Sequence, residues 1–258
     1  MPALLAKLQA RILPRGWLDA LRQLVLFAGA YYAYRFVRGA VDSRAVDAYQ
    51  NARDLISLEQ GLHLFVEPSI QAWASGKAWL IDSASWMYVN SHFTITVSSL
   101  VFIYLFRNSS FYFVRNMFCI AMFMALVGYV IFPTAPPRFF PEWGFTDSVA
   151  EFTRIPQDST PVNALFNPFA AVPSMHVAFA LMLGLSLVRL VSSWPLKLFW
   201  AVYPVVVTFV VLATANHWWI DAALGAAVAA VAAFASHWLL ARARPEAWAF
   251  TRTAEATA

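Results

Sequence analysis

Charge is scarce in this chain. Asp, Glu, Lys and Arg together make up 12% of its 258 residues, against roughly 25% in soluble domains, and that shortfall excludes a soluble globular protein. Cysteine is scarcer still. The single Cys119 rules out an intrachain disulfide, and its place inside an apolar run reads as a small buried hydrophobe. A basic stripe is missing too: the formal net charge is +4, but Lys and Arg are scattered at the ends of apolar runs. That distribution orients a membrane protein and gives no grip on a nucleic acid. Internal repeats are absent, as are low-complexity tracts apart from an alanine-rich final run.

Apolar residues fill the space that charge leaves. They make up 60% of the chain, and 16% is aromatic with eleven Trp, a composition suited to interfacial belts. Six runs, about 21–38, 85–106, 112–132, 171–191, 197–215 and 218–240, approach or reach the roughly 20 residues a helix needs to cross a bilayer. The expected fold is an all-α polytopic membrane helix bundle of about six transmembrane helices, forming one membrane domain over 1–258. Residues 1–20 read as a basic amphipathic segment on the cytoplasmic surface, with Leu4, Leu5, Leu8 and Ile12 on one side. Lys7, Arg11, Arg15 and Arg22 before Leu24–Ala30 resemble a signal peptide. The apolar stretch continues through Tyr31, Tyr32, Tyr34 and Phe36, which favours a retained first span.

Residues 41–82 are too polar to cross, and Leu55, Leu58, Leu62 and Phe65 recur at helical spacing. They predict interfacial helices ahead of a catalytic core at about 85–240. Inner segments hold eleven Lys and Arg against seven outside, which puts both termini in the cytoplasm, with the plasma membrane as the expected location.

Three polar clusters interrupt the runs: Pro133-Thr-Ala-Pro-Pro-Arg138, Pro173-Ser174-Met175-His176 and Asn216-His217 through Asp221. The parity of the spans brings all three to the extracytoplasmic face, as a shared site requires. Each has a plainer reading: a helix stop with a snorkelling Arg, a capping Ser beside an incidental His, and an interfacial His with a cap Asp. Functionally, Arg138 on a proline-stiffened loop suits bidentate phosphate recognition. Ser174 marks a helix start whose N–H groups suit an anion. His217 and Asp221 at i and i+4 share one helical face. His92 in the second span, with Tyr88 near it, reads either as a buried hydrogen-bonded His or as a substrate contact. Together these residues suit phosphoryl transfer: one His attacks phosphorus, a carboxylate orients it, a second His protonates the departing oxygen, and Arg with backbone donors neutralises the rest. No cofactor and no metal is called for.

These motifs resemble the type-2 phosphatidic acid phosphatase superfamily. The order Arg, Pro-Ser-x-His, His-x3-Asp and the six-span layout match over about residues 45–240. The Pro-Thr-Ala-Pro-Pro-Arg stretch is closer to the branch named for fungal inositol phosphorylceramide synthase. The resemblance implies His217 as a nucleophile forming a phosphohistidine, Asp221 holding its ring, His176 as general acid, and Arg138 with Ser174 binding phosphate. Four departures stand out. Ile131 and Phe139 replace the lipid phosphatase Lys and Pro around the Arg, Met175 replaces Gly, and Val210-Val211 replace Ser-Arg. Two cations are therefore missing, which favours the inositolphosphotransferase-like branch. Arg53, Arg154 and His92 are candidates for the missing charge, and Thr214 and Asn216 for neutral donors. The partners implied are the bilayer, a membrane lipid phosphate or phospholipid as donor, and water, a polyol such as inositol or a lipid hydroxyl as acceptor. Glu67 with Gln71 reads either as a polyol-binding pair or as a solvated face. A rival class is a transporter or lipid-binding protein using His92, His176, His217 and Asp221 as a zinc or proton site. A vanadate-dependent halogenating enzyme is disfavoured by the membranous chain and the missing cations.

Overall fold

The computed structural model describes residues 13, 15–41, 44–155 and 169–240, and it is an all-α bundle. Nine helices are described: α1 (Trp17–Val41), α2 (Ala45–Gly61), α3 (Glu67–Ser75), α4 (Ala78–Phe106, with a π-helical turn at Met87–Ser91), α5 (Asn108–Ile131), α6 (Ser148–Thr153), α7 (Met175–Leu190), α8 (Trp194–Ala213) and α9 (Trp219–Ala235). Most of the expected amphipathic segment, including Leu4, Leu5, Leu8 and Ile12, lies outside the described residues. Among those residues no strand forms, and a lone parallel bridge pairs Thr134 with Ala170.

Each of the six apolar runs is a helix. Four of them, α4, α5, α8 and Trp219–Trp238, are long and apolar enough to cross a membrane. α1 has the length, 25 residues, but carries Asp19 near its start. α7 is apolar but only 16 residues long, which at 1.5 Å per residue reaches about 24 Å, short of a hydrocarbon core of about 30 Å. α4 begins at Ala78 rather than at 85. Asp82 does not delay it, because that residue is exposed near the helix end, where a carboxylate stays solvated.

α7 is the hub. It packs against α4, α5, α8 and α9, and its Ala178, Met182, Leu183 and Leu187 join Leu100, Ile103, Met117, Phe118 and Val228 in one buried cluster. At the other end of the bundle from the polar clusters, Asp19 of α1 accepts hydrogen bonds from Tyr104 (3.1 Å) and Tyr112 (2.6 Å), and buried Arg115 donates to Gln23 (2.9 Å). Cys119 corrects an expectation: it is exposed on the outside of α5. An apolar run in a membrane helix has a lipid-facing side as well as a core-facing one, and the run alone does not distinguish them.

A second layer caps the bundle. Ala48, Ala52, Leu55 and Ile56 of α2 pack on Ala135, Phe140, Phe145, Val172, Ala215 and Trp218. Two of the spaced leucines of this segment mark an outward face. Leu58 and Leu62 are 51% and 55% exposed, while Glu59 is fully buried. α2 thus buries its small residues and a carboxyl group, and turns leucines outward.

Two glycines set how closely the helices grip the segment before α7. A Cβ on Gly225 of α9 would lie 2.3 Å from the carbonyl oxygen of Ser174, and one on Gly128 of α5 would lie 2.9 Å from Cδ of Pro173. Neither site tolerates even a methyl group without moving that segment. Gly225→Ala is therefore expected to cost about 1–3 kcal/mol, as overpacking does. Gly61→Ala, with open space around it, serves as control. Thermal unfolding of both variants in detergent checks this; equal midpoints would contradict the close approach.

Candidate active site

The site forms where α8 turns into α9. α8 ends at Ala213, and the chain reverses through Ala215, whose φ of 52° is left-handed. The N–H groups of Asn216 and His217 fold back onto the carbonyl of Val211 (3.0 and 3.2 Å). Trp218 is extended, and α9 starts at Trp219. Trp218, fully buried, donates through Nε1 to the carbonyl of Ala135 (2.9 Å), and Ala215 accepts from the N–H of Arg138 (2.9 Å). The proline-rich loop and the α8–α9 turn are thus laced together.

This lacing brings the three polar clusters into one place. His217 Nδ1 lies 3.3 Å from Asp221 Oδ2, and His217 Nε2 lies 3.3 Å from His176 Nδ1. Asp221 Oδ2 also accepts from the N–H of Trp218 (2.9 Å), so the carboxylate is fixed before it meets the ring. Ser174 caps α7 by accepting from the N–H of Val177 (3.5 Å), and its own N–H donates to the carbonyl of Asp221 (3.0 Å). The Arg138 side chain is 7% exposed; Nη1 donates to Asn216 Oδ1, and Nε is 3.7 Å from Asp147. Its guanidinium also rests 4.9 Å from the Phe139 ring.

The imidazoles of His176 and His217 touch rather than stand apart. Their centroids are 5.4 Å apart with the planes at 64°, which leaves no phosphate-sized gap between the rings. With its Nδ1–H given to Asp221, His217 presents a lone pair at Nε2, and that lone pair faces His176. Burial, and next the Arg138 guanidinium, push the His217 pKa down to about 3, against a backbone hydrogen bond at Ala171 that raises it. His217 is therefore neutral near neutral pH, the state a nucleophile requires.

The remaining candidates divide. Tyr88 stacks on His176 at 4.8 Å, and His92 lies against the same ring at 4.8 Å, with its Nδ1 3.1 Å from the Tyr203 hydroxyl. Asn216 donates to the Thr214 carbonyl (3.0 Å) and hydroxyl (2.9 Å), and Thr214 donates to the carbonyl of Val210 (2.8 Å). Their polar groups thus hold the turn in shape. Arg53 and Arg154 are exposed. Among the described residues no set of three or more His, Cys, Asp or Glu is placed to hold a metal ion, so the four-ligand zinc arrangement is not formed.

Sequence reasoning missed several residues that build the site. Glu67 and Gln71 are buried rather than solvated or open to a polyol: Gln71 pairs with both backbone groups of Thr146 (2.9 and 3.1 Å). Glu67 accepts from the N–H of Trp219 (2.5 Å), and Glu59 accepts from that of Ile220 (2.9 Å). Their partners lie 152 and 161 residues away, and no local pattern signals pairing at that distance. For Asp147 the signal was faint, an N-cap Asp ahead of a short helix.

A family model described as the PAP2 superfamily matches residues 53–235. No curated protein and no solved structure matches the chain. The matched span starts within α2 and runs to the end of α9, so it takes in the capping layer as well as the histidine cluster.

The depressed pKa of His217 has a signed consequence. The unfolded chain binds a proton at this residue below its ordinary value of 6.5, and the folded chain does so only near 3. Stability from this group is thus complete above pH 6.5 and is lost as pH falls from there toward 3. His217→Gln is expected to flatten the fall of the unfolding midpoint across that window. An unchanged slope would place the titrating group elsewhere.

Proposed function

This chain belongs to the PAP2 superfamily, and we propose that it is a membrane-embedded enzyme that takes a phospho group from a lipid phosphoester onto His217 and passes it to an alcohol or to water. The observation that carries this reading is the run of contacts from Asp221 through His217 to His176, both steps at 3.3 Å. It places an oriented, neutral imidazole beside a second imidazole on the neighbouring helix.

The steps balance as follows. Nε2 of His217 attacks phosphorus, an N–P bond forms, and the P–O bond to the leaving group breaks. The electron pair goes to that oxygen, which takes a proton from His176, an imidazolium once the anionic substrate lies beside it. In the second half His176 removes a proton from the acceptor hydroxyl, its oxygen bonds to phosphorus, and the pair returns to Nε2. Asp221 stabilises the imidazolium character of His217 as the N–P bond forms. Arg138 and the N-terminus of α7 at Ser174 face the phosphoryl oxygens, the task for which a guanidinium and helix N–H groups are suited. No metal enters. Because the two rings touch, substrate must first part them. At 3.3 Å the bond it breaks is long, and such a bond contributes about 1 kcal/mol.

A lipid or polyol hydroxyl as acceptor, in the manner of the inositolphosphotransferase-like branch, fits the replacement of the two lipid phosphatase cations by Ile131 and Val211. A site with fewer cations holds a phosphodiester, with its single charge, better than a dianionic monoester. Both termini lie in the cytoplasm and the site opens on the extracytoplasmic side, in keeping with the balance of Lys and Arg. The plasma membrane is the proposed location.

Purified protein incubated with labelled phospholipids and lipid phosphates, with water or inositol offered as acceptor, tests this reading. His217→Ala is expected to abolish turnover and phosphoenzyme labelling. His176→Ala is expected to slow substrates with poor leaving groups by about 10²–10⁴-fold while sparing activated aryl phosphates; equal losses on both would remove His176 as the acid. Arg138→Ala is expected to raise KM and lower kcat together, and vanadate to inhibit.

A further inference from the structure

The first turn of α9 carries Asp221, yet the helix does not supply its own cap. The N-cap position is Trp218, whose side chain only donates, and does so to Ala135. The N–H groups of Trp219 and Ile220 point into protein, where water cannot satisfy them, and a buried helix end without acceptors is costly. Both acceptors come from the capping layer: Oε1 of Glu67, at the start of α3, and Oε1 of Glu59, near the end of α2.

Both carboxyl groups are fully buried, and their second oxygens, Oε2 of each, have no donor. They accept from consecutive N–H groups, those of Trp219 and Ile220, so the two carboxyls stand side by side, and each acts on the other's charge. Two ionised carboxylates cannot bond, since each only accepts, and two like charges at that range do not both persist in a buried site. One proton between them resolves both problems. It turns one group into a donor and leaves a single negative charge facing the positive end of α9.

We propose that Glu59 and Glu67 share one proton and, as that pair, fix the first turn of α9 so that Asp221 orients His217. Both are positioning residues; neither touches His217. The inference rests on the proposed roles of His217 and Asp221. The ionisable groups that face the pair are the two carboxyls themselves and Asp221 of α9, all acidic. His217 stands beyond Asp221, with Arg138 acting on it from the proline-rich loop. Burial raises the Glu59 pKa to about 9, helped by Glu67 and Asp221, and burial also raises Glu67. A raised value means that the folded chain holds the proton where the unfolded chain has lost it. Stability from this source is therefore complete below the ordinary value of 4.5 and lost as pH climbs through about 9. Loss of the proton adds a second negative charge beside Asp221 and loosens the turn.

Infrared spectroscopy of the wild-type protein in lipid nanodiscs, without substrate, reads the shared proton directly. The expected result is a protonated-carboxyl band at neutral pH that disappears on alkaline titration and is lost or shifted in Glu59→Gln and Glu67→Gln. No such band in the wild type, or the same band in both variants, would overturn the proposal. This measurement stands even if a variant does not fold or the chain transfers no phosphate. The kinetic arm reads positioning. Wild-type kcat is expected to fall above about pH 9, the value raised by burial, while Glu59→Gln, which keeps the acceptor oxygen but cannot ionise, holds its plateau there. Glu59→Ala is expected to lose on the order of 10²-fold in kcat, the scale of a small misplacement, with KM little changed. An alkaline limb identical in wild type and Glu59→Gln would overturn the positioning role.

Discussion

The turn between α8 and α9 depends on hydrogen bonds that it cannot make for itself. Its N-cap residue is a tryptophan, its reversal is a left-handed alanine, and its candidate functional side chains are a histidine and a carboxylate with little contact with water. The indole N–H of Trp218 and the N–H groups of Trp219 and Ile220 are met from outside. The proline-rich loop gives the carbonyl of Ala135 to Trp218, α2 and α3 give two carboxyl oxygens to the helix start, and Asp221 turns back to the N–H of Trp218. The capping layer over the bundle is explained by this need. Without it, α9 would begin wherever its hydrophobic run allowed, and the geometry at His217 would be unspecified.

The same constraint accounts for the rigidity of the segment before α7. Ser174 donates its N–H to the carbonyl of Asp221 and caps its own helix, so the two histidine-bearing segments are joined through backbone as well as through their rings. Gly128 and Gly225 allow that joining by removing the side chains that would otherwise hold the helices apart. The histidine pair is thus located by main-chain contacts from three helices. Side-chain packing alone would leave more freedom.

The bundle was legible in the sequence because membrane helices leave a one-dimensional trace: long apolar runs with charges at their ends. The convergence of Arg138, Ser174, His176, His217 and Asp221 was legible from parity, since alternate junctions share a face. Less legible was anything set by pairing across the chain. Glu59 read as an ordinary charge on a half-polar segment, and Glu67 as half of a polyol-binding pair or a solvated face, because their acceptor role depends on N–H groups more than a hundred residues away. Leu58 and Leu62 signalled a helix but not what covers it. Spacing tells which residues share a face, but not whether that face meets protein or lipid, and here it is turned outward. Asn216 and Thr214 looked like spare donors until the turn's own demands used them.

The shortness of α7 has a consequence of its own. A helix of 16 residues is roughly 6 Å shorter than a hydrocarbon core of about 30 Å, and His176 sits in its first turn. With the shortfall at the His176 end and the proposed function in place, an anionic headgroup meeting that imidazole is drawn beneath the level of its neighbours in the leaflet. Either the leaflet dimples around the protein or a column of solvent descends to the ring. Under that reading lipid thickness becomes a variable of the reaction, because a thicker leaflet deepens the well into which each phosphate must sink.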